Sequence, residues 1–146
     1  MLVINTGSPL PNRTLHYTLI LTHSPNQLES NLCAQQFASE VLLAGDIIDR
    51  VFFYQDACYI GLESQIPGQG LITSFDGWAN LHETYKVPLQ VCIANGLRRG
   101  VLDASEARRY STEEHLKHKT LHPSFQLVGL GELAEACQSS DRIITL

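Results

Sequence analysis

The residues best suited to chemistry lie in the segment LQVCIANGLRRGVLD, residues 89–103. Its cysteine, Cys92, stands near the carboxyl end of an apolar run of the kind that forms a buried strand. Ligands and reactive groups in open α/β sheets collect at the carboxyl ends of the strands. Arg98 and Arg99 follow in a glycine-bounded turn, and their charges could stabilise a thiolate, the nucleophilic form of cysteine. A small core cysteine followed by solvated arginines fits the same spacing equally well.

The other three cysteines give weaker indications of chemistry. Cys58 lies in a long segment rich in turn formers, residues 55–70, and has no basic neighbour in the sequence. It is interpreted as an incidental loop cysteine, with a second reactive site as the alternative. Cys33 and Cys137 fall on the apolar stripes of predicted helices and are expected in the core. The chain has no CxxC pair and no zinc-ribbon spacing, so a reducing compartment is expected.

A glycine-rich motif, GLGELA at residues 129–134, formally satisfies the pattern G-x-G-x-x-A of dinucleotide-binding folds. That fingerprint also needs a further strand and an acidic residue about 20 positions on, and the sequence stops at Leu146. The glycines are therefore interpreted as allowing a tight turn and close packing of a helix on the sheet.

Histidines provide two further candidates. His115, His118 and His122 recur at three- and four-residue steps, so a helix there could present imidazoles to a metal ion. No recognised ligand set accompanies them, and a solvated segment is the preferred interpretation. His23 follows the first predicted strand and could reach the same sheet edge as Cys92 to assist proton movement. An ordinary loop histidine is the simpler interpretation.

Strands and helices that alternate along the chain must position these residues. Short β-branched or apolar runs predict strands at residues 17–22, 51–54, 89–94, 125–128 and 142–146. Apolar spacing and capping residues predict helices that begin at Ser24, near Ser74, at Asp103 and near Leu130. The first of them is expected to end at Gly45. This alternation implies a parallel sheet covered on both faces, which is a three-layer α/β/α domain.

Composition bounds the possible functions. The 146 residues are 44% hydrophobic and 17% charged, which fits one compact domain. Residues 1–16 are predicted to be an N-terminal extension and residues 17–146 a single domain. The net charge of −5 opposes sequence-independent binding to phosphate backbones, so no direct contact with nucleic acid is expected. With no signal peptide and no run of about 18 apolar residues, a cytoplasmic protein without a membrane partner is expected.

Three segments together resemble the TusD branch of the DsrE family of sulfurtransferase subunits. They are VFFY at 51–54, VCIANGLRRGVLD at 91–103 and FQLVGLGELAEACQSSDRIITL at 125–146, and they occur in the family's order. The resemblance covers about residues 17–146. One departure is the segment THSPNQLES at 22–30, which contains no glycine where TusD-like proteins tend to carry a glycine-rich turn.

The resemblance implies a DsrEFH-like fold with a five-stranded, mainly parallel sheet, and a role in sulfur relay. By position, Cys92 matches the cysteine that forms a persulfide, with Arg98 and Arg99 as candidates for electrostatic support or partner contact. Sulfane sulfur would come from a small carrier protein and pass to an acceptor protein for 2-thiolation of the tRNA wobble uridine. Two related subunits are implied as partners in a heterohexamer, and neither a metal nor an organic cofactor is needed.

Other functions remain open at the level of the sequence. A DsrE-type carrier in sulfur oxidation would use the same cysteine with a different direction of sulfur flux. A noncatalytic scaffold subunit of such a hexamer would leave Cys92 inert. A flavodoxin-like or receiver-like binding module would need a phosphate site or an acidic pocket at the strand ends, and the LQVCIA strand offers neither.

Overall fold

The computed structural model describes residues 13–112 and 118–146, and their strands form one sheet. The strands are β1 (His16–Leu21), β2 (Ile47–Phe53), β3 (Leu89–Cys92), β4 (Phe125–Val128) and β5 (Arg142–Thr145). Their spatial order is β4-β3-β2-β1-β5, and each neighbouring pair is parallel. The prediction of a five-stranded parallel sheet in an α/β domain is confirmed.

Helices cover both faces of the sheet. They are α1 (Leu28–Leu43), a 3₁₀ helix (Gln55–Gly61), α2 (Asp76–Tyr85), α3 (Ile93–Leu97), α4 (Ala104–Arg109) and α5 (Leu130–Ser139). Phe53 packs edge-on against Trp78 of α2, with ring centroids 5.7 Å apart. Arg50, three residues earlier on β2 and therefore on the opposite face, donates to the carbonyl of Glu132 in α5 at 2.7 Å. The helices α2 and α5 thus lie on opposite sides.

The core lies around the three inner strands. The side chains that are fully or almost fully buried there are Leu19, Leu21, Val51, Phe52, Phe53, Leu89 and Val91. Because both faces of these strands are covered, their sequences are nearly continuous apolar runs, as expected for a parallel sheet. The outer strand β5 is more exposed.

The start of α1 differs from the prediction, whereas its end agrees with it. Ser24 was expected to cap the helix, but its carbonyl accepts from the Gln27 amide at 2.9 Å and its hydroxyl accepts from the Asn26 amide at 3.3 Å. These bonds form a turn, and α1 begins only at Leu28. At the other end Gly45 adopts a φ of 87°, which lets the Asp46 amide reach the Val41 carbonyl at 3.2 Å.

The prediction that Cys33 of α1 and Cys137 of α5 lie in the core is wrong. Cys33 and Cys137 are exposed, while their neighbours Ala34 and Ala136 are buried. A shift of one residue turns a helix by about 100°, which moves a side chain from the core to solvent. In α1 the polar residue Asn31 takes an interior position, since it accepts from Trp78 Nε1 and donates to the Ser74 carbonyl, both at 2.9 Å.

Two strand boundaries also differ from the predictions. The strand β2 begins at Ile47 and not at residue 51, and β3 ends at Cys92, two residues earlier than expected.

The segment 55–70, predicted as a loop, begins with the 3₁₀ helix, in which Cys58 is buried. The Asp103 cap is confirmed, because its carboxylate accepts from the Ser105 and Glu106 amides at 2.9 and 2.8 Å. Most of the predicted extension at residues 1–16 lies outside the described residues.

Candidate functional site

Cys92 occupies the position predicted for it, the carboxyl end of a buried strand. It is the last residue of β3, pairs with Val128 of β4 and directly precedes α3. Its side chain is fully buried. The side-chain amide of Asn95, one helical turn on, donates to Cys92 Sγ at 3.4 Å. An amide donor at this distance can stabilise negative charge on sulfur.

The turn after Cys92 is held close to the sheet. The Cα of Gly96 lies where an added Cβ would be 3.4–3.5 Å from Val91, Val101 and Leu127, so α3 packs tightly against β3 and β4. Gly100, with a φ of 73°, reverses the chain, and the Val101 amide bonds back to the Gly96 carbonyl at 2.9 Å. This geometry fixes where the two arginines of the turn are placed.

Arg99 and Arg98 have different surroundings in the structure, although they are adjacent in the sequence. Arg99 Nη2 and Nε donate to Asp56 Oδ1 at 2.9 and 3.1 Å, and Nη1 donates to the Asn95 carbonyl at 3.2 Å. Its guanidinium carbon also lies 5.9 Å from the ring centroid of Tyr59. Arg99 therefore links α3 to the 3₁₀ helix, and the hydrogen bond to Asp56 raises its pKa. Arg98 is exposed at the end of α3.

Cys58 is a second buried thiol at this edge of the sheet. It is fully buried, and its Sγ donates to the Phe53 carbonyl at 3.5 Å. Burial raises the pKa of the Cys58 thiol to about 12, the charge of Cys92 adds to this, and Arg99 opposes it. Cys58 does not lie in a loop as predicted, because it is buried in the 3₁₀ helix, in which Asp56 and Tyr59 contact Arg99. Sequence reasoning missed the hydrogen bond between Arg99 and Asp56 because 43 positions separate the two residues.

His23 follows β1 and is also buried, with 8% of its surface exposed. Within residues 13–112 and 118–146 neither ring nitrogen has a hydrogen-bond partner. Its position at the carboxyl end of β1 agrees with the expectation that it lies at the same edge of the sheet as Cys92. An ordinary loop histidine would be exposed to solvent, so the burial of His23 does not fit that interpretation.

The remaining candidates do not form sites among the described residues. The described ranges contain no group of three or more side chains arranged to hold a metal ion, and His115 lies outside them. His122 instead stacks on Phe75 with ring centroids 4.5 Å apart.

At Gly131 an added Cβ would meet nothing within 4 Å, so the predicted close packing of this glycine on the sheet is wrong. No helix in the described part of the chain is long and apolar enough to span a membrane.

The fold and the site together define an α/β protein with a sheltered cysteine where its third strand ends. The model of the DsrE/DsrF-like family matches residues 16–146. A sulfurtransferase TusD homolog of Vibrio vulnificus is 37% identical over 131 residues, which cover 90% of this chain and 97% of that protein. Sulfurtransferase TusD of Cronobacter sakazakii is 35% identical over 89% of this chain and 98% of its own length.

Two further similarities agree with these matches. DsrE of Allochromatium vinosum is 34% identical over 89% of this chain and 97% of its own length. The crystal structure of the YchN protein from E. coli superposes with a TM-score of 0.66 over 91% of this chain and all of that one, at 19% identity, which shows the shared fold. The chain belongs to the DsrE/DsrF-like family, as the sequence motifs predicted, and this membership supports sulfurtransferase activity.

Proposed function

We propose that this chain is a sulfur-relay subunit that accepts sulfane sulfur as a persulfide on Cys92 and passes it to an acceptor protein. The observation that carries the proposal is the position of Cys92. It is a fully buried thiol at the carboxyl end of β3, with the Asn95 amide 3.4 Å from its sulfur, in a chain of the DsrE/DsrF-like family. The relatives named sulfurtransferases give the reaction class.

The transfer consists of two displacements at sulfur. The Cys92 thiolate attacks the outer sulfur of a donor persulfide, the donor's S–S bond breaks, and the donor leaves as a thiolate. A thiolate of the acceptor then attacks the outer sulfur of the Cys92 persulfide and releases the Cys92 thiolate. The Asn95 hydrogen bond to Cys92 Sγ stabilises the thiolate, which is the form that attacks the donor and the form that is released when the acceptor takes the sulfur.

The burial of Cys92 suits a persulfide, which small thiols and oxidants would otherwise consume. The 3₁₀ helix packs against both β3 and α3, so it serves as a cover over the end of β3 where Cys92 lies. The Arg99–Asp56 ion pair fastens this cover to α3. Donor and acceptor proteins must therefore displace it, or approach from another side, to reach the sulfur.

The proposed physiological setting is a cytoplasmic sulfur relay. Residues 17–146 act as one domain in a heterohexamer with two related subunits, taking sulfur from a small carrier protein for 2-thiolation of the tRNA wobble uridine. The exposed Arg98 is a candidate partner contact in this assembly. The similarity to TusD proteins supports this pathway, and the net charge of −5 supports transfer through proteins and not direct RNA binding.

A second candidate function is a DsrE-type carrier in sulfur oxidation, which the 34% identity to DsrE of Allochromatium vinosum favours. The site chemistry would be the same, while the direction of sulfur flux would differ. A noncatalytic scaffold subunit is the third reading, and it predicts that Cys92 takes up no sulfur.

The test is sulfur loading followed by mass spectrometry. Wild type, Cys92→Ser and Cys58→Ser are incubated with a cysteine desulfurase, cysteine, a small sulfur-carrier protein and the partner subunits, then quenched at once with an alkylating agent. We expect one added sulfur atom on the Cys92 peptide in wild type and Cys58→Ser, and none in Cys92→Ser. No adduct in any protein, or an adduct on Cys58 that survives Cys92→Ser, would contradict the proposal.

A further inference from the structure

Two thiols lie at the carboxyl ends of neighbouring strands. Cys58 Sγ is 3.5 Å from the carbonyl oxygen of Phe53, the last residue of β2. Phe53 pairs across the sheet with Val91, and Cys92 is the next residue after Val91. Neighbouring strands are about 4.8 Å apart, so both sulfurs lie within a small region at this edge of the sheet. Both side chains are fully buried.

A continuous set of contacts also connects Cys92 to the residues that flank Cys58 in the sequence. The Asn95 amide donates to Cys92 Sγ, and the Asn95 carbonyl accepts from Arg99. Arg99 in turn holds Asp56 and lies over Tyr59, the residues on either side of the Ala57–Cys58 pair. Burial raises the pKa of the Cys58 thiol, a negative charge on Cys92 acts in the same direction, and the charge of Arg99 opposes both.

We propose that Cys58 is a resolving thiol that discharges a persulfide on Cys92 when no acceptor collects the sulfur. The inference rests on the proposed function, since it requires Cys92 to carry sulfur. The products are hydrogen sulfide and a disulfide between Cys58 and Cys92.

The reaction balances without an external oxidant. The Cys58 thiol gives up its proton, and its sulfur attacks the inner sulfur of the Cys92 persulfide. The bond between the inner and outer sulfurs breaks as the Cys58–Cys92 bond forms. The outer sulfur leaves with the electron pair as hydrosulfide and takes up the proton, so one molecule of hydrogen sulfide is released. The Cys58 sulfur is oxidised, and the outer sulfur is reduced by the same amount.

The environment of Cys58 makes this discharge slow. Because burial holds the pKa of its thiol near 12, only a small fraction is thiolate at neutral pH. An acceptor protein with an ordinary thiolate therefore takes the sulfur first, and discharge through Cys58 limits the lifetime of a persulfide that has not been collected. The disulfide would also tie the 3₁₀ helix to the end of β3 until a dithiol reduces it.

The test uses the full chain carrying Cys33→Ser and Cys137→Ser, which removes the two exposed thiols and keeps Cys58 and Cys92. The protein is loaded with inorganic polysulfide, freed of excess reagent and left without an acceptor. Its intact mass under non-reducing conditions and the released sulfide are followed with time. We expect the added sulfur to disappear as hydrogen sulfide accumulates in equal amount, leaving a protein two hydrogens lighter with a peptide linkage between Cys58 and Cys92.

The matched variant adds Cys58→Ala to the same background. We expect its Cys92 adduct to persist about tenfold longer, because the intramolecular nucleophile is missing. Equal lifetimes in the two proteins, or loss of sulfur without the linkage, would overturn the inference while leaving the carrier role of Cys92 intact. If neither protein takes up sulfur on Cys92, the proposed function and this inference both fail. The linkage in the two-cysteine protein is a readout that does not depend on how well Cys58→Ala folds.

Discussion

At the scale of single residues, the Asn95 amide is a polar group in direct contact with the Cys92 sulfur. The contact joins Asn95 Nδ2 and Cys92 Sγ at 3.4 Å, one turn apart across the start of α3. Hydrogen bonds to charged groups contribute about 1.5–3 kcal/mol, more than bonds between neutral groups. The amide should therefore matter most when the sulfur is anionic, as it is during transfer.

Substitution of Asn95 tests this role. We expect Asn95→Ala to slow sulfur loading of Cys92 about tenfold, the effect of losing about 1.4 kcal/mol from the transition state. Asn95→Asp should be slower still, because it sets a carboxylate beside an anionic sulfur. The measurement is the rate at which the sulfur adduct appears on the Cys92 peptide.

The control for Asn95 is Asn80→Ala, at an exposed position on α2. It should load at the wild-type rate. Unchanged rates in both Asn95 variants would show that the amide contact has no effect on transfer.

At the scale of elements, the Arg99–Asp56 ion pair fastens the cover, which is the 3₁₀ helix, to α3. The Arg99 side chain is 23% exposed and that of Asp56 is 57% exposed, so solvent weakens the pair and it adds little to global stability. Its effect is local, because it joins two short elements that meet beside both thiols. The opening of this cover is the conformational step that we expect to precede sulfur transfer.

Removing the guanidinium should loosen the cover without unfolding the domain. We expect Arg99→Met to raise amide hydrogen exchange across residues 55–61 and to speed alkylation of Cys58, while the midpoint of thermal unfolding changes little. The matched control is Arg98→Met, which makes the same replacement at the exposed neighbouring position. Equal exchange in the two variants would mean that Arg99 does not fasten the 3₁₀ helix.

At the scale of the whole molecule, a polar network at the other end of the sheet joins distant parts of the chain. His16 Nδ1 lies 2.7 Å from Asp49 Oδ1, and Ser140 Oγ donates to Asp49 Oδ2 at 2.8 Å. The network thus connects β1, β2 and the residue that follows α5. The hydrogen bond and charge of Asp49 raise the pKa of His16 above 6.5.

This shift predicts how stability depends on pH. Because the pKa of His16 is higher in the folded state, its contribution is fully present below the unfolded value of about 6.5 and is lost as the pH rises through the folded value. We expect the free energy of unfolding of wild type, relative to His16→Gln, to be larger at about pH 6 than at about pH 8. Urea titrations of both proteins measure this difference. A constant difference across that range would contradict the assignment.

Much of the secondary structure and of the sheet could be predicted from the sequence, because strands, helices and helix caps are indicated by residues that are close together in the chain. A β-branched run followed by an amphipathic stretch predicts a strand and a helix, and repetition of the pair predicts a parallel sheet. Cys92 could be placed at the end of a strand by this reasoning alone. Capping at Asp103 and the stop at Gly45 follow from backbone hydrogen bonding within a few residues, and the structure confirms both.

The tertiary structure alone decided which faces are buried and which distant residues meet. Cys33 and Cys137 fit apolar stripes, yet both are exposed, because the position of the neighbouring sheet determines which side of a helix is covered. The contact of Arg99 with Asp56 and the burial of Cys58 beside Cys92 depend on how β2 and β3 pair. Periodicity describes each element by itself, whereas the site arises where separate elements pack together.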